Sequence, residues 1–379
     1  MKFSTSKTEL QQALQKLSKA TPTRSTLPIL GCVLIDAGDE KTILKTTDLE
    51  ISIQVEIPTS LEKTGRAAIP LKTLLEVTNE LPEVRVTIEV DDKNKATITT
   101  DLGEYDLMAK QPEEFPKTPE QKSPAVIKIP GKTLKQIINS TSFAISHDEL
   151  KPALTGVLLQ ISSESTTAVS TDGHRLVKQT RGDFRSTDSI NDFIVPKKFL
   201  GYLSSHLGDI DVELLLAEDH LAARVGADLV ITRIIDETFP NYESVIPKEN
   251  NKKLVVDKKV LLGAIKRVSI FSNKSTHQVA LSLSSEECKI TTEDPEKSSK
   301  ANEKISAQYE GDPIVIGYNA EYLKDVVSHV PGDEVVVELS SSVSAALFSS
   351  LRSEEQVESI MLLMPVSYTH LTLPTILRV

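Results

Sequence analysis

Leu10-Gln11-Gln12-Ala13-Leu14-Gln15-Lys16-Leu17 is a pattern that the chain uses three times. Its apolar residues are spaced by three and four positions, which is typical of one face of an amphipathic helix. The pattern returns over residues 134–141, with Thr141 in the last apolar place, and again over residues 261–268. A short apolar run begins seven residues before each copy. One offset at three sites indicates an internal repeat.

A second predicted helix repeats as well, and each repeat ends in the same way. The second helices follow Ile69-Pro70, Val195-Pro196 and Ile316-Gly317. Each repeat then closes on a large apolar residue and a proline, at Phe115-Pro116, Phe239-Pro240 and Met364-Pro365. These prolines recur at intervals of about 125 residues, a common size for one domain.

Between the helices the apolar residues alternate with polar ones, the period of a half-buried strand. Residues 84–90 alternate cleanly, and residues 334–338, with three consecutive valines, are also predicted to form a strand. Each repeat is therefore strand, helix and strands, twice over. We predict an α+β fold in which two helices per domain pack on antiparallel sheets. The predicted domains are 1–119, 124–247 and 253–366.

Composition and charge exclude several classes of protein. Cys32 and Cys288 are the only cysteines, which argues against a disulfide framework and fits a reducing cytoplasm. The N-terminus lacks the apolar core of a signal peptide, and no apolar run approaches the length of a membrane span. The net charge is −11, yet the six predicted helices together carry +7 and the remainder −18. Local charge decides where a phosphate backbone would lie, so the helices are the candidate nucleic-acid surface.

An enzymatic function finds little support in the sequence. Asp172 and His174 could form an acid–base pair or half of a metal site, but no further His, Asp or Glu cluster completes it. Phosphate-binding loops, nucleophile elbows and dinucleotide fingerprints are lacking. We expect a protein that is not an enzyme and that needs no cofactor and no metal.

Four motifs, in order and spacing, resemble those of the bacterial sliding clamps, the beta subunits of DNA polymerase III. They are Thr26-Leu27-Pro28-Ile29-Leu30, Thr171-Asp172-Gly173-His174-Arg175-Leu176, Phe239-Pro240-Asn241-Tyr242 and Met361-Leu362-Leu363-Met364-Pro365. The resemblance implies a head-to-tail homodimer whose six domains encircle duplex DNA, with helices lining the hole. Such a clamp tethers the replicative polymerase for processive synthesis. The alternative is a scaffold that binds a small ligand or a peptide without encircling DNA.

The resemblance also implies which residues contact partners. Those matching DNA-contact positions are Arg24, Lys151, Lys197 and Lys198. The implied partners are double-stranded DNA, the DNA polymerase III alpha subunit, the clamp loader and other proteins with a clamp-binding motif. They dock a short peptide in an apolar groove, here matched by Leu154, Thr171, Gly173, His174, Arg175, Leu176, Pro240, Val245, Asn319, Tyr322, Leu362, Leu363, Met364, Pro365 and Val366. The alternative for Leu154, Leu176 and Leu362 is ordinary core.

By the same resemblance, the dimer interface centres on apolar residues of the first and third domains. These are Val77, Tyr105 and Leu107 on one side and Ile270 and Phe271 on the other. The family commonly flanks this centre with basic residues on the first domain and acidic residues on the third. This chain has Asp101, Glu104 and Asp106 on the first domain. On the third it has Lys297, Lys300 and Lys304, beside Glu296 and Glu303. We therefore predict that the polarity of the ion pairs is partly reversed.

Residues 367–379 break the repeat and resemble translated sequencing-adapter sequence. We predict a tail that is non-native or disordered.

Overall fold

The computed structural model describes residues 1–22, 24–119, 124–186, 190–352 and 356–366. Six α-helices lie within these ranges, two in each repeat, and all six are predicted from the apolar periodicity. They are α1 (Lys7–Leu17), α2 (Leu71–Glu80), α3 (Gly131–Thr141), α4 (Lys197–His206), α5 (Lys258–Ser269) and α6 (Ala320–His329). The predicted tail, 367–379, and linker residues 120–123 lie outside the described ranges.

Twenty-six strands lie within the described ranges, and the predicted strand segments, such as residues 84–90 and 334–338, are among them. In chain order they are β1 (Lys2–Ser6), β2 (Cys32–Ala37), β3 (Thr42–Thr47), β4 (Ile51–Ile57), β5 (Ser60–Lys63), β6 (Gly65–Pro70), β7 (Arg85–Val90), β8 (Lys95–Thr100), β9 (Gly103–Met108), β10 (Ala125–Pro130), β11 (Gly156–Ile161), β12 (Thr166–Thr171), β13 (Arg175–Arg181), β14 (Phe193–Pro196), β15 (Asp211–Leu216), β16 (His220–Val225), β17 (Asp228–Arg233), β18 (Lys252–Asp257), β19 (Gln278–Ser284), β20 (Glu287–Asp294), β21 (Ser299–Ser306), β22 (Gln308–Glu310), β23 (Ile314–Asn319), β24 (Glu334–Leu339), β25 (Ala346–Ser350) and β26 (Val357–Leu363).

These strands form four sheets. Their strand orders are β5-β1-β7-β8-β9, β10-β15-β16-β17-β4-β3-β2-β6, β14-β11-β12-β13-β26-β25-β24-β18-β22 and β21-β20-β19-β23. The eight-stranded sheet joins the first repeat to the second through β4 and β17, which pair antiparallel. The nine-stranded sheet joins the second repeat to the third through β13 and β26, also antiparallel.

Every repeat exchanges strands between its two halves. The strand before the first helix pairs with the strand after the second helix, as β1 does with β7, β10 with β15 and β18 with β24. The strand before the second helix lies beside the strand after the first helix, as β6 does with β2, β14 with β11 and β23 with β19. The same exchange in all three repeats gives structural support to the repeat predicted from sequence.

Two compact units emerge from the density of contacts. One contains Met1–Gln136 and Val195–Ile235, and the other contains Ile137–Ile194 and the chain from Asp236 onward. The middle repeat is therefore divided between the units. This division follows from the joined sheets, because half of the middle repeat pairs with the first repeat and half with the third.

The repeated stripe is the buried face of each first helix. Leu10, Ala13, Leu14 and Leu17 of α1 are at most 2% exposed. The corresponding Thr141 in α3 is also fully buried, and its hydroxyl donates a hydrogen bond to the Ile137 carbonyl oxygen at 2.7 Å. Threonine can replace an apolar residue there because the helix itself satisfies its hydroxyl.

Side chains cap three of the helices. Ser6, Asp257 and Asn319 accept hydrogen bonds from backbone N–H groups in the first turns of α1, α5 and α6. Helices α2 and α4 begin directly after Pro70 and Pro196 instead. No helix in the described ranges is long and apolar enough to cross a membrane.

Candidate partner groove and basic helix face

A tight turn between β12 and β13 organises the predicted groove. The Thr171 hydroxyl donates to the Arg175 carbonyl oxygen at 2.7 Å. The Oδ1 atom of Asp172 accepts from the backbone N–H groups of His174 and Arg175 at 2.9 and 3.0 Å. Gly173 has a φ of +89°, a conformation that favours glycine. The Asp172 carboxylate therefore holds the backbone of the turn, and Gly173 and His174 are exposed at its tip.

The Arg175 side chain ties this turn to helix α6. Its Nε atom lies 3.0 Å from Asp172 Oδ2, and its Nη1 atom lies 2.5 Å from Asp325 Oδ2. The guanidinium carbon is 4.7 Å from the ring centre of Tyr322 and 5.5 Å from that of Phe143. Arg175 is only 8% exposed, so its charge is balanced by two carboxylates and covered by two rings. This contact fixes α6 against the turn.

Two of the predicted groove residues, Tyr322 and His174, contact each other. Their rings stack with centres 5.7 Å apart and planes 21° from parallel. Tyr322 lies in the first turn of α6, where the Asn319 side chain accepts from its backbone N–H at 3.3 Å. The Tyr322 ring is therefore positioned by the cap of α6 as well as by Arg175.

The last described residues lie beside the same turn. In the β13–β26 register, Arg175 is opposite Leu363 and Leu176 is opposite Leu362. After β26 ends, the Met364 N–H donates to the His174 carbonyl oxygen at 2.8 Å. The Met364-Pro365 motif is thus adjacent to the exposed tip of the turn.

Exposure divides the predicted groove residues into a buried floor and an accessible rim. The floor contains buried side chains: Leu154, Thr171, Arg175, Leu176, Leu362 and Leu363. The rim contains exposed or half-buried residues: Gly173, His174, Pro240, Val245, Asn319, Tyr322, Met364, Pro365 and Val366. Val245 is 53% exposed and Met364 39%, whereas Leu176 and Leu362 are each 2% exposed. The exposed and half-buried residues are therefore the ones that a partner could reach in this structure.

Sequence reasoning missed Asp325 and Phe143. Both contact Arg175, but they are far from it in sequence and neither belongs to a recognisable motif. Tyr322 and Asp325 are three residues apart on α6, which places them on one helix face. That spacing was the available signal.

The four predicted DNA-contact residues are all exposed. Arg24 lies in the loop after α1, and Lys151 directly precedes the short turn Pro152–Leu154. Lys197 and Lys198 are the first two residues of α4. Lys198 forms an ion pair with Asp48, whose side chain is 7% exposed.

The predicted dimer surfaces contain the end strands of two sheets. β9 is the last strand of the five-stranded sheet and β21 the last of the four-stranded sheet. Val77 and Tyr105 line a surface depression of about 350 Å³, and Leu107 is half-buried on β9. Ile270 and Phe271, which follow α5, are 76% and 46% exposed.

Residues alternate along both end strands. The exposed positions of β9 include Glu104 and Asp106, and those of β21 include Lys300 and Lys304. Several of these charges already have partners in the chain. Lys95 lies 2.9 Å from Asp106, Lys297 3.9 Å from Asp294, Lys300 3.4 Å from Glu293 and Lys304 3.0 Å from Glu287. The hydrogen bond from Lys95 lowers the pKa of the Asp106 carboxyl, which stays negative near neutral pH.

The described ranges contain no group of three or more His, Cys, Asp or Glu side chains placed to hold a metal.

Three repeats of paired helices, with strands exchanged between their halves and sheets joined between repeats, have the architecture of a DNA clamp. Family models of the DNA polymerase III beta subunit match all three repeats: the N-terminal domain over 1–119, the central domain over 128–241 and the C-terminal domain over 243–366. The chain belongs to this family, the bacterial beta sliding clamps.

Individual relatives agree with this assignment. The beta sliding clamp of Pseudomonas putida is 30% identical over 362 residues, covering 94% of this chain and 97% of the relative. A DnaN sliding clamp from Bartonella birtlesii, solved with griselimycin bound, superposes with a TM-score of 0.92 at 29% identity, covering 97% and 99% of the two chains. The Bacillus subtilis clamp gives a TM-score of 0.91 at 28% identity, with the same coverage.

Family membership confirms the predicted function and fold class. The chain is a sliding clamp for processive DNA replication, a non-catalytic subunit with DNA and polymerase as partners. The alternative of a scaffold without DNA encirclement is not favoured.

Proposed function

We propose that two copies of the chain associate head to tail, through Val77, Tyr105 and Leu107 of one copy and Ile270 and Phe271 of the other. The closed ring encircles duplex DNA without reading its sequence, in the cytoplasm. Its working domains are residues 1–119, 124–247 and 253–366. Arg24, Lys151, Lys197 and Lys198 attract the phosphate backbone, since lysine and arginine supply sequence-independent attraction.

We further propose that the DNA polymerase III alpha subunit, the clamp loader and other motif-bearing proteins dock in the groove. The observation that carries this proposal is that Met364, which is 39% exposed, donates its N–H to the His174 carbonyl oxygen and so lies beside the exposed tip of the β12–β13 turn. Partly exposed apolar side chains on a fixed backbone suit recognition of a short peptide, and methionine adapts to different ligands. Because griselimycin is bound to the Bartonella birtlesii clamp, we expect it to bind this chain as well.

Topological linkage to DNA tests the proposed ring. The protein is loaded onto nicked circular DNA, and its retention during gel filtration is measured before and after the DNA is linearised. We expect retention on the circle and loss from the linear form. Equal retention on both forms would show ordinary binding to the DNA surface and would contradict encirclement.

A further inference from the structure

Two ion pairs cross the joint between the first and second repeats in opposite directions. Lys16 on α1 of the first repeat reaches Asp228, the first residue of β17 in the second, at 2.6 Å. Lys198 on α4 of the second repeat pairs with Asp48, in the turn between β3 and β4 of the first. Both pairs flank the strands β4 and β17 that join the repeats. Each of the two lysines is therefore paired with a carboxylate of the neighbouring repeat.

The turn that contains Asp48, in the first repeat, has the same structure as the turn that contains Asp172 at the corresponding place in the second repeat. The Thr47 hydroxyl donates to the Ile51 carbonyl oxygen at 2.9 Å. Asp48 Oδ1 accepts from the N–H groups of Glu50 and Ile51 at 3.0 and 2.9 Å. Leu49 takes the positive φ, +80°, that Gly173 takes in the second copy. The backbone hydrogen bonds thus use the same carboxylate oxygen in both turns.

The two copies differ in what neutralises the second carboxylate oxygen. Asp172 Oδ2 is paired with Arg175, which begins the strand directly after the same turn. The equivalent of Arg175 in the first repeat is Ile51, which carries no charge. The side chain of Asp48 is nevertheless only 7% exposed. Burying a carboxylate without a cation beside it costs folding free energy. Lys198, from the next repeat, supplies that cation.

Asp228 has a similar position on the other side of the joint. Its side chain is 16% exposed where it meets Lys16. Burial, and the negative charge of Asp228 nearby, raise the pKa of the Tyr202 phenol on α4. Asp228 therefore lies close to both α1 and α4.

We propose that Asp48 and Asp228 hold Lys198 and Lys16 away from DNA and so weaken the grip of the clamp on the duplex, while they fix the joint between the repeats. A phosphate group and a carboxylate compete for the same ammonium group. Each lysine therefore contributes less to phosphate binding than an unpaired lysine at that position. A clamp that slides benefits from weak, shared contacts, because a phosphate held too firmly would stop it. This inference rests on the proposed DNA-contact role of Lys198 on α4 and extends it to Lys16, because α1 is one of the helices that form the candidate nucleic-acid surface.

The substitution Asp48→Asn tests the proposal with little structural change. Asparagine keeps the Oδ1 acceptor for Glu50 and Ile51 and loses only the charge that holds Lys198. The affinity of the full-length protein for a fluorescent duplex is measured by anisotropy over a series of salt concentrations. We expect binding about two- to tenfold tighter near 50 mM salt, and a steeper salt dependence, by up to about one unit in the log–log slope for one released lysine. Asp228→Asn should act in the same direction through Lys16.

Two controls separate the proposal from a simple change in net charge. Asp36→Asn removes the same charge from a carboxylate that pairs with Lys45 and Arg66 on the sheet, and we expect it to leave the affinity unchanged. In a Lys198→Ala background, Asp48→Asn should lose its effect. Unchanged binding by Asp48→Asn, equal tightening by Asp36→Asn, or an effect that survives in Lys198→Ala would each overturn the proposal. A parent protein that fails to bind the duplex at every salt concentration would instead overturn the DNA-contact assignment itself.

Discussion

At the scale of the residue, Met364 and Leu176 show how exposure separates binding from stability. Both belong to the predicted groove, but Met364 is 39% exposed and Leu176 2% exposed. We expect Met364→Ala to weaken the binding of a polymerase-derived peptide and to leave the free energy of unfolding almost unchanged. Leu176→Ala should lower the free energy of unfolding by about 2–5 kcal/mol, because it leaves a cavity. Calorimetric titration and urea denaturation measure the two effects; unaltered peptide affinity in Met364→Ala would remove this residue from the groove.

The two cysteines provide a second test at this scale. Cys32 and Cys288 are 2% and 0% exposed. Burial raises the pKa of both thiols, that of Cys288 to about 12. Since the thiolate is the reactive form, a pKa near 12 leaves about one Cys288 in ten thousand ionised at pH 8. We expect neither thiol to react with Ellman's reagent at pH 8 in the folded protein, and both to react in urea. Rapid reaction in buffer would contradict the burial of these residues.

At the scale of the element, the cap of α5 counters an unfavourable run of charge. Lys258 and Lys259 occupy the first turn, where the helix dipole disfavours cations. Asp257 accepts from the Val260 N–H at 2.8 Å and brings a negative charge to the same end. We expect Asp257→Ala to cost about 1 kcal/mol of unfolding free energy. Asp257→Asn keeps the hydrogen-bond acceptor but not the charge, so its free energy of unfolding, measured by urea denaturation, should lie between those of the parent and Asp257→Ala. An alanine variant as stable as the parent would contradict the capping role.

Local elements were the part of this fold that the sequence predicted best. All six helices and the strands in which apolar and polar residues alternate can be predicted from apolar spacing, because the residues on one face of a helix or strand are close together in sequence. The exchange of strands between halves of a repeat does not follow, since β1 and β7 are about 80 residues apart. The Arg175–Asp325 and Lys198–Asp48 pairs are about 150 residues apart and leave no periodic signal. The groove motif could be predicted from resemblance, whereas its division into floor and rim required the structure.

At the scale of the whole molecule, the exposed apolar pair after α5 should control assembly. Ile270→Ala with Phe271→Ala removes two side chains that are 76% and 46% exposed in the single chain. We expect the dimer to shift toward monomer in sedimentation velocity, without loss of the fold by circular dichroism. Val343→Ala, another exposed apolar residue at 76%, serves as the control and should leave the dimer intact. A double variant that dimerises as tightly as the parent would contradict this placement of the interface.

The charges beside this apolar centre should determine which chains associate. Exposed ion pairs contribute only about 0–1 kcal/mol each, but they influence partner choice and association rate. Glu104 and Asp106 are exposed on β9, and Lys300 and Lys304 are exposed on β21. We expect no heterodimers, as measured by native mass spectrometry, when the protein is mixed with a clamp that has basic residues on its first domain and acidic residues on its third. Free exchange of subunits would refute the charge argument alone, since the apolar centre could still hold the dimer.

The exchange of strands also has a consequence for the order of events on the ribosome. β1 is made first, yet the partner that lies between it and β8 is β7, which ends at Val90. At the usual 5–20 residues per second, β1 waits roughly 4–17 s for that partner. The apolar face of α1 remains incompletely covered during the wait. We expect ribosome-stalled chains with 80 emerged residues to be cut rapidly near the N-terminus by a protease, and chains with 120 emerged residues to resist. We then expect the protein to depend on chaperones while its first repeat is being made.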